Sequence, residues 1–231
     1  MTKPAALAGP SGQPLAKGRR TQAERREETR RRLIEATLRC LARDGYAGTT
    51  IQRIVSEAGL SHGASGHHFP TKAALLQEAA EELVRDAYRR FGRALLGVGH
   101  AQDRLAALLG ATWREVFDPE KIDAFLEILV ASKRDPELLE RLKPFARAGM
   151  EAFRRSADHF FAPKRDDIDV HSMMLLTQWL FRGMSMDQRF ATSPREFEPF
   201  LELWIRLMSE LVEARPGVTD PPPKPEWPGV P

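Results

Sequence analysis

The residues with the clearest capacity for recognition chemistry lie between Ser61 and Phe69. Within that segment the side chains His62, Ala64, Ser65 and His67 are expected on the exposed face, and His68 follows them. Imidazole and hydroxyl groups form hydrogen bonds with base edges or phosphates, and an alanine methyl packs on the methyl group of thymine. The segment therefore predicts a short surface that reads double-stranded DNA.

The same histidines raise the alternative of a metal site. His67 and His68 are adjacent, so they diverge by about 100° on a helix, and His62 is five residues away. None of them has the i,i+4 partner that metal-binding helices use. We therefore expect no metal at this segment and no other cofactor.

The elements around this segment predict a helix-turn-helix. Thr50 caps a helix over residues 51–58, Gly59 forms the turn, and Ser61 caps a reading helix that reaches about Phe69. Such a turn lets one helix enter the major groove while its neighbour crosses the backbone. The remaining predicted DNA contacts lie at the starts of two helices and are phosphate contacts: Thr50, Ile51 and Lys72.

A basic run precedes these helices. Between Lys17 and Arg32 there are eight basic residues against three acidic ones. Such a block suits a polyanion, although a solvated helix face with Arg/Glu pairs explains part of it equally well. We expect residues 1–22 to form a flexible arm in which Arg19 and Arg20 lie along the minor groove or the phosphates, or stay loose.

Composition limits the class of protein. The chain is 42% hydrophobic with a net charge of +3, which suits a globular protein, and its single cysteine, Cys40, rules out an internal disulfide. No apolar run reaches the roughly 20 residues that span a bilayer, and no secretory signal is evident, so a cytoplasmic protein without a membrane partner is expected. No phosphate loop, nucleophile elbow or catalytic triad stands out, which argues against an enzyme.

The hydrophobic periodicity predicts an all-α protein of about nine helices without strands. We expect residues 23–72 to form a three-helix DNA-binding domain and residues 73–215 to form a larger helical bundle. Residues 216–231 contain seven prolines and are expected to be a disordered tail.

From Arg26 to Leu76 the chain resembles the DNA-binding domain of the TetR family of bacterial transcription regulators. The likeness rests on many residues at fixed spacing: Gly45-Tyr46, Thr49-Thr50, Ala58-Gly59-Leu60-Ser61 and His68-Phe69-Pro70-Thr71-Lys72. Gly66 departs from the pattern, because the family often has a phosphate-contacting Tyr there. The resemblance implies that the bundle of residues 73–215 is a ligand-binding and dimerisation domain. It would enclose an inducer pocket, and its two final helices would pair across a dimer.

Two sets of residues fit those implied roles. The candidate pocket residues, which would surround a small hydrophobic or amphipathic ligand, are Trp113, Phe117, Phe125, Phe153, His171, Gln178, Trp179 and Arg182. The candidate dimer residues are Met173, Leu176, Leu180, Gly183, Phe200, Leu201, Trp204, Met208 and Leu211. Packing within one chain is the alternative for both sets, and a solvated face is the alternative for the polar members.

Together these features predict a homodimeric repressor that a small molecule releases from a palindromic operator. Two alternative functions remain open. The first is a constitutive or activating regulator without a ligand. The second is an architectural protein that binds DNA without sequence preference.

Overall fold

The computed structural model describes residues 21–61, 68–99 and 101–228. In this part of the chain helices account for nearly all regular structure, and none of them is long and apolar enough to cross a membrane. The eight α-helices are α1 (Gln22–Gly48), α2 (Ile51–Glu57), α3 (Lys72–Gly97), α4 (Arg104–Val116), α5 (Pro119–Ser132), α6 (Pro136–Phe160), α7 (Val170–Asp187) and α8 (Glu198–Leu211).

Helix α1 begins and bends where its sequence dictates. The Thr21 hydroxyl accepts from the Glu24 amide, and the Glu24 carboxylate accepts from the Thr21 amide, which forms a capping box. Gly45 interrupts the helix with φ +67°, a conformation that a side chain disfavours. Beyond that bend the Tyr46 amide donates to the Glu127 carboxylate of α5 at 2.7 Å. The end of α1 is therefore held by a residue of the bundle.

Helices α1 and α2 build the N-terminal module. Thr50 caps α2 by accepting from the Arg53 amide at 3.2 Å, and Ile54 is fully buried against α1. Gly59 makes the turn after α2 with φ +62°, as its place in the sequence predicts. Residues 62–67 of the predicted reading helix lie outside the described residues, and Phe69, just beyond them, is buried in the module's core.

Helix α3 connects the module to the bundle without a linker. Its N-terminal half buries Leu75 and Leu76 in the same core as α1, and its C-terminal half buries Ala94 and Leu95 in a second core. The first core also contains Ile128 of α5, so it extends across the domain boundary drawn from the sequence. The module and the bundle therefore share one apolar interior.

Two features differ from the sequence expectation. Phe161–Pro163 (β1) and Val212–Ala214 (β2) form a short antiparallel pair with Phe161 opposite Ala214, where the chain leaves α6 and α8 in extended conformation. Residues 216–228, expected to be a disordered tail, lie against the bundle instead. The Arg104 guanidinium donates to the Val218 carbonyl at 2.5 Å, and the Trp227 ring stacks on a bundle phenylalanine.

The bend at Gly45 predicts a specific cost for adding a methyl group there. Gly45→Ala forces alanine into a positive-φ conformation that only glycine adopts readily, and it places a Cβ 3.3 Å from the Glu127 carboxylate. Unfolding in urea should therefore show a loss of about 1–2 kcal/mol. Gly92→Ala is the control, because its Cβ meets nothing within 4 Å in mid-helix, and it should gain roughly 0.5–1 kcal/mol. Equal effects at the two sites would contradict this account of the bend.

Candidate functional site

The first candidate surface is the exposed side of the N-terminal module. Thr50 is exposed at the start of α2, whereas the Ile51 side chain is half-buried against the core. Ile51 can therefore offer a ligand its backbone amide but little of its side chain. Ser61 is exposed after the turn, and His68 is half-buried with its ring centroid 6.5 Å from that of Phe69. The other predicted DNA contacts lie outside the described residues: Arg19, Arg20, His62, Ala64, Ser65 and His67.

Lys72 connects the start of α3 to the end of α1. Its ammonium donates to the Tyr46 carbonyl at 2.9 Å and lies 3.7 Å from the centroid of the Tyr46 ring. Burial lowers the pKa of Lys72. The lysine is thus half-buried at the joint between helices, with ammonium protons left over for a second acceptor such as a phosphate.

Ion pairs between α1 and α2 hold the two helices together, and their arginines were not predicted from the sequence. Glu57 of α2 accepts from Arg39 at 2.9 Å and from Arg43 at 3.1 Å, and these two hydrogen bonds lower the pKa of Glu57. The Arg32 guanidinium donates to the carbonyls of Ala58 and Gly59 at the turn. The exposed pairs add little stability singly, but together they set the direction in which the chain leaves α2.

The second candidate site is a cavity of about 390 Å³ between helices α3, α4, α5, α6 and α7. Its size suits a small organic molecule, and its walls are mostly apolar. Six of the eight predicted pocket residues line it: Phe117, Phe125, Phe153, Gln178, Trp179 and Arg182.

The other two predicted pocket residues lie elsewhere. Trp113 is buried on another side of α4, with its ring centroid 5.5 Å from that of Phe181 and 6.2 Å from that of Phe197. His171 lies one ring away from the cavity, beside Phe153 at 6.3 Å. The sequence pattern places Trp113 and His171 on the bundle side of their helices, but it does not distinguish a core residue from a residue that lines the cavity. Further lining residues include Tyr88, Phe91, Thr112, Leu129 and Trp227.

Charged and polar groups in the cavity wall are few. Asp86 accepts hydrogen bonds from Lys121 and Arg90; burial pushes the pKa of Asp86 up, but these bonds outweigh it and the pKa lies below its usual value. Arg182 lies with its guanidinium carbon 5.0 Å from the centroid of the Phe125 ring, and burial lowers the pKa of Arg182.

The C-terminal tail covers part of the cavity. The Trp227 ring stacks on Phe145 at a centroid distance of 4.8 Å and meets Tyr88 edge-on at 5.9 Å. The Tyr88 hydroxyl donates to the Pro223 carbonyl at 3.5 Å, and His159 contacts Asp220. Because Trp227 also lines the cavity, the tail forms part of its wall.

An apolar face of α7 and α8 is exposed. Leu176 is 45% exposed and Phe200 is 59% exposed, and Gly183 has open space above it. Four other predicted dimer residues are half-buried at its edge: Met173, Leu180, Trp204 and Leu211.

Two predicted dimer residues, Leu201 and Met208, are buried inside the chain instead, at 8% and 0% exposure. They are seven residues apart on the inner side of α8, where they join the second core. The outer side of α8 carries Phe200, Leu203 and Leu207.

Comparison with known proteins shows what the N-terminal module is similar to. Residues 33–79 match the model for bacterial regulatory proteins of the tetR family. The chain is 39% identical to the HTH-type transcriptional regulator CymR of Pseudomonas putida over 125 residues, 54% of this chain but only 61% of CymR.

Two further proteins are similar over most of their length. Identity to the HTH-type transcriptional regulator BetI of Agrobacterium fabrum is 24%, covering 82% of this chain and 94% of BetI. A putative transcriptional regulator from Saccharomonospora viridis, solved in complex with choline, shares the fold with a TM-score of 0.57 and 20% identity, covering 81% of this chain and 99% of that one.

The tail contact predicts a measurable role for one tryptophan. Trp227→Ala removes the stack on Phe145 and opens the cavity wall, so we expect a loss of about 1–2 kcal/mol in urea unfolding and increased binding of an apolar fluorescent dye. Lys224→Ala, an exposed change in the same tail, should alter neither quantity. If both variants behave like the wild type, the tail does not cover the cavity in solution.

Proposed function

We propose that this chain, which carries the DNA-binding domain of the TetR family of bacterial transcriptional regulators at residues 33–79, is a homodimeric repressor. In this proposal the dimer binds a palindromic operator and leaves it when a small molecule fills the cavity. The observation that carries the proposal is the double role of α3, which begins in the DNA-binding module and continues as a wall of the cavity.

Two helices connect the cavity to the module. On α3, Lys72 contacts Tyr46 of the module, and Tyr88 and Phe91 face the cavity more than four turns further along. On α5, Phe125 and Leu129 line the cavity, while Glu127 between them accepts from the Tyr46 amide. A ligand that displaces either helix therefore acts on Tyr46.

The release step is a coupling of binding sites. A ligand that favours one arrangement of α3 and α5 changes the separation of two reading helices in a dimer, and modules displaced by a few ångströms lose register with half-sites one DNA turn apart. To shift operator occupancy from 99% to 1%, the ligand must bind the released state roughly ten-thousandfold better. The fold neighbour solved with choline supports a small-molecule role for the bundle.

Selection of bound sequences from a random DNA pool tests the regulatory function directly. We expect enrichment of one two-fold symmetric sequence, bound about 10³-fold or more tighter than random DNA. Binding without any enriched sequence would instead support an architectural protein. An enriched sequence without two-fold symmetry would contradict the proposal that a homodimer binds the operator.

The contribution of Lys72 to DNA binding is testable through salt. If its ammonium also reaches a phosphate, Lys72→Ala weakens all DNA sequences alike and reduces the slope of log K against log salt by about one. Lys143→Ala removes the same charge from an exposed site on α6 and should leave the slope unchanged. Because Lys72 also contacts Tyr46, unfolding curves for both variants must first show that the module is folded. An altered base preference with an unchanged slope contradicts the phosphate role.

The dimer surface is the exposed apolar face of α7 and α8. Several large apolar side chains exposed on one face indicate an interaction surface, and Leu207, 49% exposed on the outer side of α8, is among them. Leu207→Glu places a charge there, so light scattering should show a monomer and affinity for the full operator should fall to that for a half-site. Glu202→Ala, on another side of the same helix, should remain dimeric. A dimeric Leu207→Glu variant would exclude this face as the interface.

A further inference from the structure

Arg182 is a half-buried cation in the wall of an apolar cavity. Its Nε is buried without a hydrogen-bond acceptor, and no carboxylate in the described part of the chain pairs with it. Its contact is the face of the Phe125 ring, 5.0 Å from the guanidinium carbon. An arginine remains protonated in proteins, so the cavity wall carries an uncompensated positive charge.

Partial burial of a charge without a partner is unfavourable, because the charge has lost part of its hydration and gained no counter-ion. A planar guanidinium with several N–H donors matches the two oxygens of a carboxylate in a bidentate pair. The missing partner of Arg182 is therefore best supplied by a ligand that brings its own carboxylate into the cavity.

Two other polar groups in the wall fit the same ligand. The Thr112 hydroxyl is buried without a hydrogen-bond partner and lines the cavity. Gln178 lines it one helical turn before Arg182, at the i,i+4 spacing that brings side chains onto one face of α7. Hydroxyl and amide donors beside a guanidinium can complete the hydrogen bonds of a carboxylate.

The remaining charges in the wall do not favour a cationic ligand. Asp86 is the acidic residue that lines the cavity, and Lys121 and Arg90 already neutralise it. With Asp86 paired to Lys121, the wall retains the positive charge of Arg182. The aromatic rings around it then accommodate an apolar body rather than a cation.

We propose that the cavity binds an organic monocarboxylate with a compact apolar or aromatic body, and that Arg182 pairs with its carboxylate while Thr112 and Gln178 donate to the same group. This assignment rests on the proposed function, since it names the class of the releasing ligand.

Calorimetry on the full chain without DNA tests the assignment. The probes are octanoate, 4-phenylbutyrate and 2-naphthoate, each with its neutral primary amide, and phenyltrimethylammonium as the cation. We expect at least one carboxylate to bind roughly tenfold or more tighter than its amide. Arg182→Met should weaken that carboxylate roughly a hundredfold and leave the amide within about threefold. Arg147→Met, an exposed arginine on α6, should change neither affinity.

Three results would overturn the assignment. They are the absence of binding by every carboxylate, equal affinity for acids and amides, and tightest binding by the ammonium probe. Thermal unfolding without ligand adds an independent readout: Arg182→Met should unfold at the same or a higher temperature, because an unpaired, half-buried charge has been removed. A fall of several degrees would show that Arg182 has a structural partner within the chain and would equally reject the assignment.

Operator binding in the same samples separates this assignment from the proposed function. Carboxylate binding that depends on Arg182 but leaves the operator complex intact would support the site and contradict the release step. Release by the amide or the ammonium probe alone would support the release step and reject the carboxylate.

Discussion

The structure depends on the packing of helix α3, whose first half lies in the core shared with the N-terminal module and whose last turns lie in a second core of the bundle. A helix of 26 residues is about 39 Å long, and it is packed at both ends rather than hinged between domains. Leu75 and Leu76 hold its first half against α1, and Leu95 holds its last turns in the second core. Close-packed interiors deform little, so movement at one end of such a helix displaces the other end. A change in the tilt of α3 therefore moves the N-terminal module and the cavity wall together.

Polar contacts around Tyr46 fix how the N-terminal module is oriented on the bundle. The Glu127 carboxylate accepts from the Tyr46 amide at the bend after α1, and Asp135, between α5 and α6, accepts from the Tyr46 hydroxyl at 3.3 Å. From α3, the Lys72 ammonium contacts the face of the Tyr46 ring and donates to the Tyr46 carbonyl. Tyr46 is thus the residue at which α1, α3 and α5 meet. The packed core limits how far the module can move. The contacts of Tyr46 determine which helix movements are transmitted to the module.

What could be predicted from the sequence was local. The cap at Thr50 and the turn at Gly59 follow from short-range chemistry, and the TetR-family match of residues 33–79 includes both. Contacts between distant segments carry no such signal. Nothing in the residues near position 46 indicates that its amide meets a carboxylate 81 residues away.

The tail and the last helix show two further limits of sequence patterns. Proline-rich composition predicts disorder because proline lacks a donor and disfavours helices, yet this segment provides carbonyl acceptors and one large aromatic ring, Trp227, that stacks on the bundle. On α8 the apolar stripe covers two sides. The side with Leu201 and Met208 is buried in the chain, and the side with Leu203 and Leu207 is exposed. Hydrophobic periodicity does not distinguish the two sides, because both are apolar. Which side is buried depends on where the neighbouring helices pack.

Helix α7 brings the cavity and the exposed apolar face together. Arg182 and Gln178 line the cavity, whereas Leu176 and Gly183 belong to the exposed face. Trp179 lines the cavity and is also 57% exposed. A carboxylate paired with Arg182 would therefore act on the helix that a second copy would contact, as well as on α3 and α5 through the cavity walls. In the proposed release step the spacing between two modules changes, and a ligand at this position would act on both determinants of that spacing: the orientation of each module on its bundle and the packing of one bundle on the other.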